Sequence, residues 1–241
     1  MTAFFKNIYN LFNLIYKKNK SKKYYYSFGG IDIIVDYIFK NKSDGFYIDI
    51  GCQHPISNNN TYLLHKRGWS GINVDLDKKN IELFNLHRKK DYNVEIAVSS
   101  KNTQKELFFY HDKSPINTLE KRVRDHRETK EKEIRKINTV TLNSLIESSP
   151  FRNSKFNFLT IDVEGHELEV IKGFDLKKYE PEIIVIEHLD LSTKKLEIKN
   201  LNINNVINSD LYKLMSNNNY SFVNWSHADL VFVNNKFRDK N

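Results

Sequence analysis

Apolar residues change their spacing along this chain, and each change predicts a different element. Phe4, Phe5, Ile8, Leu11, Phe12 and Ile15 recur three and four apart, which predicts an amphipathic helix with lysines at its end. Tyr24–Tyr25–Tyr26 and Gly29–Gly30 mark a joint, and Ile31 to Phe39 reads as a second short helix. From Gly45 onward, short apolar runs alternate with helical patterns. Strands are predicted over Phe46–Ile50, Gly71–Leu76, Tyr92–Val98, Glu106–Tyr110, Phe156–Asp162, Glu182–Glu187, Tyr220–Val223 and Asp229–Val233. Helices are predicted from Thr61 to Lys66, Lys78 to Lys89, Glu167 to Lys172 and Asp210 to Ser216. Parallel neighbours need crossovers, so this alternation implies a doubly wound α/β fold with a mainly parallel sheet. A short polar turn, Asn224 to His227, joins the last two strands, so the C-terminal strand should run antiparallel at one edge. Between Glu120 and Lys136 both signs of charge interleave, which reads as a solvated helix or a lid. The chain thus divides into a basic helical extension (1–40) and one α/β domain (41–241).

Composition narrows the class. At 241 residues and 39% hydrophobic, the chain can bury a sizeable core. The net charge is +8, but Lys6, Lys17, Lys18, Lys20, Lys22 and Lys23 lie in residues 1–26 without an acid. The body is therefore near neutral, which argues against a surface built to track nucleic acid. Two readings of the first helix stay open. It packs on the domain, or it docks to an anionic membrane surface or a lipid-linked substrate. With Cys52 as its single cysteine the chain forms no internal disulfide, and with no run of about 18 apolar residues nothing is expected to span a bilayer. No secretory leader is recognisable, so the expected location is the cytoplasm, peripheral to the inner face of a membrane if the first helix docks.

Two strand ends carry the candidate chemistry. Tyr47-Ile48-Asp49-Ile50-Gly51-Cys52 places an acid and a glycine where a strand ends, the side of an open parallel sheet on which ligands bind. Asp75 ends the next strand, 26 residues later, where a carboxylate can accept both hydroxyls of a ribose. The turn after Asp49 holds Pro55 and Asn58–Asn59–Asn60 and no G-x-G-x-x-G, so it lacks the amide cradle of a pyrophosphate. That disfavours NAD and suits S-adenosylmethionine. The block Asp162-Val163-Glu164-Gly165-His166-Glu167 gathers three carboxylates and an imidazole ahead of a helix. Capping and the helix dipole explain one or two acids there but not all of them, because like charges repel without a shared proton or cation. His166 suits a general base toward an acceptor hydroxyl. Alternatively, a divalent ion on Asp162 and Glu187 would acidify that hydroxyl.

Asp49-Ile50-Gly51, Gly68-Trp69-Ser70-Gly71-Ile72-Asn73-Val74-Asp75, Ile161 through Glu167 and Lys172-Gly173 resemble the FkbM family of methyltransferases, over roughly Gly45 to Val233. Asn59-Asn60-Thr61 and Asn117-Thr118 resemble a branch associated with surface-glycan synthesis. The resemblance implies a Rossmann-like S-adenosylmethionine domain that methylates oxygen on a sugar or similar small molecule. It implies cofactor contacts from Asp49, Gly51, Cys52, Asn60, Thr61, Asp75, Ala97 and Asp162, and catalytic roles for His166, Asp162 and Glu164. The sequence departs from the family at Cys52-Gln53-His54-Pro55, where relatives carry a small residue and then glycine. Two other classes remain as competitors: a non-catalytic module that docks through the basic helix, and an RNA methyltransferase, which the absence of a base-stacking platform disfavours.

Overall fold

The computed structural model describes residues 3–20, 23–192 and 202–239. The chain opens with α1 (Ala3–Lys20), α2 (Ile31–Ile38), β1 (Phe46–Ile50), α3 (Tyr62–Lys66), β2 (Ser70–Asp75), α4 (Lys78–His87) and β3 (Tyr92–Glu95). Next come β4 (Ala97–Val98), β5 (Thr103–Phe109), α5 (Lys121–His126), β6 (Glu133–Val140), α6 (Leu142–Ser148) and β7 (Phe156–Ile161). The last third holds α7 (Glu167–Lys172), α8 (Leu176–Tyr179), β8 (Ile183–Glu187), α9 (Ile203–Ile207), α10 (Asp210–Asn217), β9 (Tyr220–Ser226), β10 (Asp229–Asn234) and α11 (Asn235–Arg238).

Seven strands form one sheet in the order β3-β2-β1-β7-β8-β10-β9, a Rossmann-like arrangement. The strands from β3 to β8 are parallel, and β10 pairs antiparallel with both β8 and β9. The antiparallel edge is thus a hairpin whose final strand inserts between β8 and β9, leaving β9 outermost. Both faces of the central strands are apolar. Ile184 and Ile186 of β8, with Leu230 and Phe232 of β10, join one core. Ile183, Val185, Val231 and Val233 join the other, which α2 covers through Ile31 and Val35. Burial on both faces is why these strands read as unbroken hydrophobic runs.

The structure corrects four expectations. The strand expected over Tyr92–Val98 breaks at Ile96, whose N–H donates to the Asp75 carbonyl at 3.0 Å. Beyond the break, Ala97 and Val98 leave the large sheet and pair with β6 in a small second sheet, β4-β6-β5. Part of the charged stretch after Glu120 is strand, not helix: β6 is bonded along its length to β5, and its charges stay in solvent. The boundary at residue 40 cuts through the body, because α2 is core and buried Asp32 accepts from the Tyr26 N–H at 2.7 Å. Nor does α1 pack on the domain. Its large apolar side chains are 50–68% exposed.

The sheet reverses its winding between β1 and β7, the switch point at which open α/β sheets bind ligands. There the backbones touch: the Asp162 N–H donates to the Ile50 carbonyl at 2.9 Å. A Cβ on Gly51 would stand 1.7 Å from the Asp162 carbonyl oxygen, and φ at Gly51 is +82°. Gly68 also has positive φ (+96°), but a Cβ there would meet nothing within 4 Å. Gly68→Ala is therefore expected to cost about 1 kcal/mol, the backbone term alone. Gly51→Ala should cost several times that, or abolish folding, in denaturant melts. Equal losses would show that the strand tips do not need this contact.

Candidate active site

An open cavity of about 720 Å³, including the solvent at its mouth, lies over the switch point. Its floor is Ile50, Gly51 and Val74, and one wall is Asp75, Leu76, Ile96, Ala97 and Val98. Opposite stand Asp162, Val163, Glu164 and His166, while Ser114, Pro115, Asn117 and Leu119 come from the loop between β5 and α5. Of the residues expected at the cofactor, Gly51, Asp75, Ala97 and Asp162 border this space.

The other four do not. They belong to the end of β1 and the loop that follows it. The Asp49 carboxylate accepts from Asn59 Nδ2 at 3.0 Å and Thr61 Oγ1 at 2.8 Å. Asn60 donates to Thr160 Oγ1 at 3.0 Å, and Cys52 is buried against Ile81 and Phe84. Fully buried Arg88 closes the network, donating to Thr61 Oγ1 (2.7 Å), Asn59 Oδ1 (2.7 Å) and the Pro55 carbonyl (2.6 Å). Burial raises the Asp49 pKa while the Arg88 charge opposes it. A buried cation needs such acceptors, and the oxygens of Thr61, Asn59 and Pro55 serve it. His54 caps its own turn, accepting from the Ile56 and Ser57 N–H groups.

Asp75 is fixed by the backbone. It accepts from the Gln53 N–H at 2.9 Å and the Asp77 N–H at 2.7 Å. Burial lifts its pKa to about 6 against those hydrogen bonds. Across the cavity, Asp162 is exposed to the interior space yet ringed by protein, and desolvation lifts it to about 6 as well. It shares a hydrogen bond with Glu187. Burial, and then the Asp162 charge, push Glu187 far up. Glu164 is raised to about 8 by burial and by Asp162, although it ion-pairs with Arg127 at 2.5 Å. Asp229, opposite Glu187 across the β8–β10 ladder, is raised by burial in the same field.

Carboxylate oxygens of Asp162, Glu164 and Glu187 lie within 4.8 Å of one another, close enough to hold a divalent cation. Of these acids Arg127 offsets Glu164, and Asp162 is left without a cationic partner of its own among the described residues.

His166 has partners on both sides of its ring. Its Nδ1 lies 2.6 Å from Glu120 Oε1 and its Nε2 2.9 Å from Ser99 Oγ, so both nitrogens are occupied. The ring ties α5 and β4 to the reaction turn. Thr118 Oγ1 donates to the Glu164 carbonyl at 2.7 Å and Arg122 to the Gly165 carbonyl at 3.3 Å, adding two further latches. Glu120, Ser99, Arg127 and Asp229 were not foreseen. They lie far along the chain from the residues they meet, and no local motif marks them.

A model of the methyltransferase FkbM domain matches residues 49–222. No curated protein and no solved structure gives a match.

Glu167 accepts from the Val163 N–H (3.0 Å) and the Gly165 N–H (2.9 Å), yet burial lifts its pKa to about 7. A carboxylate raised in the folded state binds its proton more tightly there, so stability falls as pH rises from about 4.5 through about 7. Glu167→Gln is expected to gain melting temperature relative to the wild type between pH 6 and pH 8, with little difference near pH 5. A pH-independent difference would contradict the buried, raised carboxyl.

Proposed function

The chain belongs to the methyltransferase FkbM domain family, and from that premise we propose that it transfers the methyl group of S-adenosylmethionine to a hydroxyl oxygen of a sugar or glycan precursor. The carrying observation is the cavity itself, with one carboxylate fixed at the β2 end and another, Asp162, facing it from the β7 end. The donor set fits this cofactor. Asp75 would hold the ribose hydroxyls, and Leu76, Ile96 and Ala97 form an apolar wall for the adenine. Gly51 lets the methionine part approach backbone. Carboxylates at the β7 end favour a sulfonium, whereas a pyrophosphate would be repelled there. The bound cofactor supplies an electrophilic methyl on a positively charged sulfur.

Asp162 takes the acceptor proton as the C–O bond forms and the S–C bond breaks. It is exposed in the cavity, its pKa near 6 leaves it largely ionised at pH 7, and Glu187, pushed far up by burial and by the Asp162 charge, stands beside it. Glu164 stays paired with Arg127, and His166 is a positioning residue. The rim residues Gln53, Ser114 and Glu164 suit a hydroxyl-rich acceptor, which supports the glycan reading. The single cysteine supports a reducing, cytoplasmic setting.

Calorimetry is expected to show S-adenosylhomocysteine binding that Asp75→Asn weakens about tenfold or more. Asp162→Asn should keep that affinity within a few fold and slow turnover about a hundredfold. In the wild type and in His166→Gln, kcat/KM should rise with pH through about 6, and Asp162→Asn should lose that limb. Absence of cofactor binding would remove the assignment. A limb lost in His166→Gln instead would return the base to the imidazole. Activity should also survive chelation of divalent ions; loss restored by added Mg²⁺ would place a cation on the three carboxylates.

A further inference from the structure

We propose that α1 is an interfacial anchor that lays this protein on an anionic lipid bilayer. At 100° per residue, Phe4, Phe5, Ile8, Leu11, Phe12 and Ile15 fall on an arc of roughly 120°, which Tyr9 and Tyr16 along one border widen to roughly 160°. The remaining face is asparagine and lysine, apart from Ala3 and Leu14. None of the apolar side chains finds cover on the body; each is at least 50% exposed. Covering one such side chain is worth about 1.5–3 kcal/mol, so an uncovered row of this size marks a surface that meets something apolar.

Charge selects the occupant. Residues 1–26 contain no acid, and Lys6, Lys17, Lys18, Lys20 and Lys23 are exposed, while Lys22 lies outside the described residues. Three of these lysines close the last turn, where they also offset the helix dipole. Lys18 and Lys20 flank the apolar arc, one at each border, placed to reach headgroups while the arc enters the acyl boundary. Each lysine near an anionic surface contributes about 1 kcal/mol. A helical partner would favour branched aliphatics in a narrow seam. This arc is wide, led by phenylalanine and bordered by tyrosine, the residues of a membrane interface. No described helix is long and apolar enough to cross a bilayer, so the mode is lying on the surface. A chain of 18 helical residues is marginal alone in water, and an interface supplies the missing burial.

The test is cosedimentation of the full chain with large unilamellar vesicles, either pure phosphatidylcholine or containing about 30% phosphatidylglycerol. Binding is expected only to the anionic vesicles, falling at least tenfold between about 0.1 and 0.5 M salt. Phe5→Asp/Phe12→Asp should lower it at least tenfold, with an unchanged melting temperature showing that the body is intact. Lys17→Glu/Lys18→Glu should do so through charge alone. Equal binding to neutral vesicles, or indifference to both double variants, would overturn the proposal. So would a concentration-dependent dimer in sedimentation velocity that Phe5→Asp/Phe12→Asp dissolves without any vesicle binding, which would assign the arc to a second copy.

Discussion

The approach of the Gly51 backbone to the Asp162 carbonyl is the constraint on which the rest of this molecule depends. Two parallel strands that turn their chains in opposite directions leave a crevice between their ends. The crevice stays open only if nothing fills the space between the tips. A side chain at residue 51 would sit on the neighbouring backbone, so the position is closed to every other amino acid. That contact fixes β1 against β7 and therefore fixes Asp162, which sits on the first residue past the strand.

Polar groups then divide between two tasks. Beneath the crevice, Arg88 collects a carbonyl and two side-chain oxygens and freezes the loop that follows β1. Above it, acids are left short of counter-charge, and burial holds several of them near or above neutrality. Shifted acids at a cavity are what proton transfer requires, and a fully satisfied network would be inert. The segment that carries β5, α5 and β6 is latched to the reaction turn through Thr118, Glu120 and Arg122, so the roof and the acids form one unit.

Much of this was legible in the sequence, and for a physical reason. The central strands are buried on both faces, so β1, β2, β7, β8 and β10 appear as apolar runs, and the acids at their ends stand out against them. What failed to show was of two kinds. Asp49, Asn60 and Thr61 have the residue types of a ligand site, but their hydrogen bonds run to Asn59, Thr160 and Asp49, and distant Arg88 holds Thr61 and Asn59 in that arrangement. β6 has solvent on most of its length, so its charges imitate a solvated helix while its order comes from the ladder with β5. His166 combines both difficulties, because its motif points to catalysis and its partners, Glu120 and Ser99, come from far along the chain.

The central claim is that one cavity between the tips of β1 and β7 holds an S-adenosyl nucleoside. A crystal structure with S-adenosylhomocysteine tests it most directly. The account requires the ribose hydroxyls within about 3 Å of Asp75 and the sulfur on the Asp162 side of the same space. A nucleoside lodged elsewhere, or seated with its ribose away from Asp75, would contradict it.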